Sequence, residues 1–227
     1  MYILTSHKKG ISSLQLGRDV GITQKSAWFV NHRIREMLKD KAPELLSNIV
    51  EVDETFVGGL DKNRHVNKRK GITGTSGKMP VMGLLERQKK VIAHKIKGTK
   101  THIIQPEIYN NVEKESTIVT DSFPAYRGMS KDYGHIVVDH KNGQYTRGIY
   151  DTNSIENFWS HFKRGIYGIY HSVSEKHLDR YVTEFSARYN TRKCDETVRF
   201  NAFLTKCAGR LKYNDLIDVD KNISTNV

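Results

Sequence analysis

Between Ile11 and Leu38 the apolar positions fall into two short helical patterns. The first sets Leu14, Leu16 and Val20 behind Ser12, whose hydroxyl suits an N-cap. Gly21 supplies a tight turn, Ile22 is apolar, and Thr23 caps a second helix, TQKSAWFVNHRIREML. In that helix Ala27, Val30, Ile34 and Leu38 share one face, predicted to be buried. Gln24, Lys25, Ser26 and His32 occupy other faces, the first three at the end that enters the major groove in helix-turn-helix proteins. An ordinary αα-hairpin is the alternative. Trp28 and Phe29 are expected to anchor a core rather than stack on bases.

Beyond a polar connection at Lys39–Ser47 the periodicity changes. NIVEVDETF at 48–56 puts Ile49, Glu51, Asp53 and Thr55 on one face of a strand that Gly58-Gly59 ends. Residues 60–80 have no periodicity and read as a mobile basic loop. Val81–Arg87 and Val91–Lys97 form a predicted hairpin, Thr101–Val112 a helix that Pro106 bends or breaks, and Thr117–Thr120 a short buried strand. A short helix at Phe123–Met129, a strand at His135–Asp139, and helices over Asn153–Ile166, Ser174–Tyr189 and Glu196–Leu204 complete the pattern. Three strands, then alternating helices and strands, then helices predict an α/β fold with a ribonuclease-H-like mixed five-stranded sheet flanked by helices. A small all-α helix-turn-helix precedes it. The expected boundaries are 1–42 for that region, 48–212 for the α/β domain and 213–227 for a polar tail.

Charge then narrows the class. The 37 Lys/Arg against 25 Asp/Glu give +12, concentrated in residues 1–42 and 61–100, whereas the tail carries Asp215, Asp218 and Asp220 against Lys221. Two cationic blocks favour a polyanion such as DNA, with Lys68, Arg69 and Lys70 following its phosphates. Cys194 and Cys207 cannot build a disulfide framework or a four-cysteine zinc site, and are expected as half-buried packing residues of a reducing cytosol. No apolar run approaches the roughly 20 residues of a membrane span, and the N-terminus has no signal-peptide core. No membrane partner and a cytoplasmic, nucleoid-associated location are therefore expected.

Three acids carry the candidate chemistry: Asp53 inside the first strand, Asp121 just after the fourth, and Glu156 in the first turn of the helix near Asn153. A carboxylate within VEVDETF is costly to bury without a partner. Carboxylates from two central strands and a facing helix suit a pair of Mg²⁺ (or Mn²⁺) ions, which can clamp an in-line phosphoryl displacement.

VDETFVGG, VTDSFPAY and TNSIENFWSHFKRGIYGIYHSVSEKHLDRYVTEFSARYNTR resemble the DDE transposases of bacterial insertion sequences, ISXO-like group. The resemblance runs from Gly10 to near Tyr213. It implies Mg²⁺-dependent cleavage at element ends and strand transfer into target double-stranded DNA, by a homodimer or higher oligomer on DNA. Asp53 and Asp121 become the first two metal ligands, and Glu156 or Asn153 the third, with Glu156 preferred as a charged oxygen donor. Lys163, seven positions after Glu156 and so on the same side of a helix, contacts DNA near the cleaved phosphate with help from Arg164. The resemblance also implies an N-terminal cysteine zinc ribbon, which two cysteines cannot supply, and a His where Asp151 stands. Asp151 either tunes metal affinity or faces solvent; His140 is a candidate contact behind the acids or to DNA. His161, His171 and His177 have no zinc-like spacing. The competing functions are a shortened or decayed transposase that only binds or represses DNA, and a nuclease that cuts without joining.

Overall fold

In the computed structural model, residues 1–7, 9–40, 43–59, 65–69, 71, 74–207 and 211–217 are described. Strands β1 (Ile49–Val57), β2 (Met79–Glu86), β3 (Val91–Lys95), β4 (Thr117–Thr120) and β5 (Gly134–Val137) make one sheet in the order β3-β2-β1-β4-β5. β1 pairs antiparallel with β2 and β2 with β3, while β4 runs parallel to both β1 and β5. Helices α1 (Tyr2–Ser6), α2 (Ser13–Val20) and α3 (Gln24–Met37) precede the sheet. α4 (Thr101–Asn111) crosses from β3 to β4, and α5 (Asn153–Gly165), α6 (Leu178–Asn190), α7 (Glu196–Leu204) and α8 (Tyr213–Ile217) follow it. This is the ribonuclease-H-like α/β arrangement expected from the element order.

The central strand is buried on both faces. Val50 and Val52 of β1 join Met82, Leu84 and Ile118 beneath Ile104 and Ile108 of α4. On the other face Val81 and Leu85 pack against Ile155, Trp159 and Phe162 of α5 and Val182 and Phe185 of α6. The edge of β3 is covered by α6. Asn190 exchanges two hydrogen bonds with the backbone of Val91 (2.8 and 3.0 Å), and Asp179 accepts the Lys95 N–H at 2.6 Å. An edge strand whose backbone groups are taken in this way cannot pair with another chain.

The N-terminal helices form as their sequence directs. Ser12 accepts the Gln15 N–H, Thr23 accepts that of Ser26, and Gly21 takes the left-handed conformation (φ 68°) that ends α2. Their core is shared: Leu4, Ile11, Leu16, Ala27, Ile34 and Leu38 pack with Phe203 of α7.

Several expectations are corrected. Val30, assigned to the inward face of α3, is exposed, and Asn31 and Arg35 take that face because partners outside the helix receive them. Leu14 and Val20 are exposed too, leaving Leu16 as the buried apolar residue of α2. α4 runs unbroken through Pro106. Phe123–Met129 is not one helix: 3₁₀ turns at Pro124–Tyr126 and Met129–Lys131 are separated by Gly128 at φ 91°. Cys194 and Cys207 are exposed, not half-buried. Much of the basic loop, including Lys70 and the side chain of Lys68, lies outside the described residues, as do Asp218, Asp220 and Lys221.

His32 is the largest departure. It is fully buried among Trp28, His177 and Tyr181, and neither ring nitrogen has a hydrogen-bond partner, so it does not face DNA. Burial, with Arg35, His177 and Arg180 adding to it, drives its pKa from 6.5 down to about 2. Below about pH 6.5 the unfolded chain takes a proton that folded His32 refuses, so stability present above that pH falls as the solution is acidified. The expected loss from this residue between pH 7 and pH 5 is about 2 kcal/mol. Urea denaturation at both pH values checks it, with His32→Leu showing a correspondingly smaller loss than the unaltered protein.

Candidate active site

Asp53 lies within β1 and Asp121 immediately follows β4. The parallel register Ile49↔Thr117, Val50↔Ile118, Glu51↔Val119 ends two residues short of Asp53 and Asp121, which stand at equivalent positions beyond it. Glu156 stands in the first turn of α5, which crosses the same face of the sheet. Gly83 permits that crossing. It pairs with Asp53 across β1 and β2, and a Cβ there would lie 2.6 Å from Trp159 Cζ2 and 2.9 Å from Ile155 Cδ1. Gly83→Ala is therefore expected to push α5 off the sheet, costing about 1–3 kcal/mol in urea denaturation and displacing Glu156 from Asp53.

The other two acids act on Asp53 electrostatically. Burial pushes the Asp53 carboxyl from 3.8 up to about 6, and the charges of Asp121 and then Glu156 push the same way. The Glu54 backbone N–H opposes this, as does the Trp159 indole N–H, which lies close but outside full hydrogen-bond geometry. Next to it, Glu54 is raised to about 8, by burial first, against a hydrogen bond donated by the Tyr126 hydroxyl, and with Asp53 and Asp121 adding repulsion. Asp121 Oδ1 accepts the Phe123 N–H at 2.9 Å, which fixes the turn after β4. Glu156 Oε1 accepts the Thr152 hydroxyl at 2.8 Å and lies 3.6 Å from His140 Nδ1. Among the described residues, no three His, Cys, Asp or Glu side chains as placed are grouped closely enough to hold a metal ion.

The remaining candidates are more dispersed. Asn153 is exposed, and its N–H donates to Asp151 Oδ1 at 2.9 Å. Asp151 is half-buried and paired with Arg87 at 3.0 Å, so it neither faces solvent freely nor turns toward the acids alone. Lys163 and Arg164 are exposed in the last turn of α5, where Arg164 bends back onto Ser160. Gln24, Lys25 and Ser26 are exposed at the start of α3, with the Lys25 ammonium 5.2 Å from the Tyr213 ring centroid. Arg69 is exposed beside the short turn at Val66–Lys68.

The sequence profile of the ISXO2-like transposase domain matches residues 45–190, a span that holds the whole sheet and α4 to α6. The chain belongs to this family. No curated protein matches it. An ISXO2-like transposase is a DDE enzyme of DNA transposition, and so acts on DNA. Among the described residues no helix is long and apolar enough to cross a membrane.

Two features of this transposase were not foreseen. Glu54 and Tyr126 form a partly buried pair next to Asp53, and Glu51 and Arg87 form another beside the start of α5. The visible signal was the density of acids in VEVDETF, three carboxylates within four residues of a buried strand.

Proposed function

We propose that this transposase cleaves DNA at the ends of its element and joins the freed 3′-hydroxyl to target DNA, with Asp53, Asp121 and Glu156 holding Mg²⁺ or Mn²⁺. The observation that carries the reading is the condition of Asp53. Half-buried in β1, its carboxyl is pushed up first by burial and then by two further acids from distant parts of the chain. Among the described residues no cationic side chain pairs with Asp53 or Asp121. Such a set of hard oxygen donors has an unmet demand for positive charge, which a hard divalent cation fits. When bound, the ion supplies Lewis-acid stabilisation of the reacting phosphate oxygens.

The protein's own part is placement. Asp53 lies within β1, and Asp121 directly follows β4, the strand that pairs with β1. Glu156 is the third donor, and Asn153, three positions earlier, is the alternative. Lys163 and Arg164 approach the DNA backbone near the cleaved phosphate. Gln24, Lys25 and Ser26 read the major groove from residues 1–42, while Lys68, Arg69 and Lys70 follow phosphates without sequence preference. At least two copies assemble, one for each element end.

The test incubates the purified chain with duplexes carrying its element's ends, in Mg²⁺, Mn²⁺ or EDTA. Metal-dependent nicking at the end, and joining from a pre-cut donor, are the expected products. Tight binding with no nicking would select a DNA-binding repressor, and nicking without joining a simple nuclease.

A further inference from the structure

We propose that Glu51, Arg87 and Asp151 form a positioning clamp that sets the start of α5, and with it Glu156, relative to Asp53 and Asp121. The proposal rests on the metal-dependent reading above.

The first N–H groups of a helix have no partner within it and must be met from outside. Thr152, the residue before α5, makes no side-chain cap bond. Two carboxylates take over that task from elsewhere. Glu51 is fully buried on β1, two residues before Asp53 and on the same face, and its Oε2 accepts the Ile155 N–H at 2.9 Å. Asp151 Oδ1 accepts the Asn153 N–H at 2.9 Å.

One guanidinium joins them. Arg87 Nε donates to Glu51 Oε1 at 3.0 Å, and Nη2 lies 3.0 Å from Asp151 Oδ2. The same group donates to the carbonyls of Ile149 and Asp151, gripping the segment that leads into the helix. Its backbone is anchored in turn, because the Arg87 N–H bonds the Ile49 carbonyl at 2.9 Å. The chain of contacts is continuous from β1, through Arg87, to the Asn153 and Ile155 N–H groups at the start of α5. Glu156 is the next residue after Ile155. Any slip of that turn therefore moves the third acid relative to Asp53 in β1 and Asp121 at the end of β4. None of the three clamp residues needs to touch an ion or DNA to do this.

Arg87→Lys and Asp151→Asn test the clamp in the full chain. Lysine keeps a charge near Glu51 but cannot span several acceptors. Asparagine keeps an acceptor for the Asn153 N–H, at a position that is only half-buried. Mn²⁺ binding is read by electron paramagnetic resonance without DNA, alongside thermal melting, DNA affinity, and kcat and KM for end cleavage. The expected result for the folded variants is about tenfold weaker Mn²⁺ binding and about tenfold lower kcat, with DNA affinity and KM unchanged. A purely structural pair would lower the melting temperature and leave those two quantities alone. Folded Arg87→Lys and Asp151→Asn variants that bind Mn²⁺ and cleave within about twofold of the unaltered protein would overturn the clamp. If the unaltered chain itself binds no Mn²⁺, the metal reading fails first, a result distinct from equal binding by all three.

Discussion

Asp53→Asn is expected to lower end cleavage by about 10³-fold or more while leaving affinity for end DNA unchanged. The substitution keeps the size of the side chain and removes its charge, so β1 and the approach of α5 over Gly83 are undisturbed. What disappears is the carboxylate that β1 contributes to the candidate site. Stability should move the opposite way. The Asp53 carboxyl is raised from 3.8 to about 6, so the folded chain holds a proton that the unfolded chain has already released. Stability is then fullest below about pH 4 and declines as pH rises through about 6, by about 3 kcal/mol at pH 7. Glu54, raised to about 8, continues the decline toward alkaline pH. An asparagine side chain at this position has no such charge to bury. Metal-free Asp53→Asn should therefore melt higher than the unaltered protein at pH 7, and added Mg²⁺ should raise the melting temperature of the unaltered protein only. Gel cleavage assays and melting curves with and without Mg²⁺ check both halves. A variant that still cleaves at the original rate removes Asp53 from the chemistry.

The strand that carries Asp53 was legible because alternation in NIVEVDETF is strong and Gly58-Gly59 closes it. α5 was equally plain, since Ile155, Phe158, Trp159 and Phe162 recur at helical spacing and all four are buried. The sequence placed the three acids together only as a demand of chemistry. β1 and β4, which carry or lead into Asp53 and Asp121, pair across almost 70 residues, which no local pattern encodes. The misread face of α3 has the same origin. Periodicity assigns apolar Val30 inward, but Arg35 is buried because Glu184 of α6, 149 positions away, receives it. His32 likewise looked like a polar surface residue until α6 and the segment bearing His177 closed over it. Long-range ion pairs override local amphipathicity where they occur, and the pairing of Arg87 with Glu51 hid the structural use of both.

Glu184→Ala should produce the largest loss of stability, about 3–5 kcal/mol in urea denaturation at pH 7. Arg35 and Glu184 each have side chains only 1% exposed and meet at 2.7 Å where α3 packs on α6. Glu184 also receives Arg188 at 2.7 Å and the Tyr170 hydroxyl at 2.9 Å. Burial alone would raise its carboxyl; Arg35 and then Arg188 outweigh that and hold it below the usual range. Removing the carboxylate strands the Arg35 guanidinium, which Tyr181 faces at 3.9 Å but cannot neutralise. Arg188 suffers less, because it also donates to the carbonyls of Leu4 and His7. The double change Arg35→Met with Glu184→Leu removes both charges and should recover about 2 kcal/mol relative to Glu184→Ala. Because α3 begins with Gln24, Lys25 and Ser26, the single variant should also bind end DNA more weakly, and the double variant should regain part of that affinity. Equal stability of single and double variants would mean that the pair contributes net stability, and that the cost does not come from an orphaned charge.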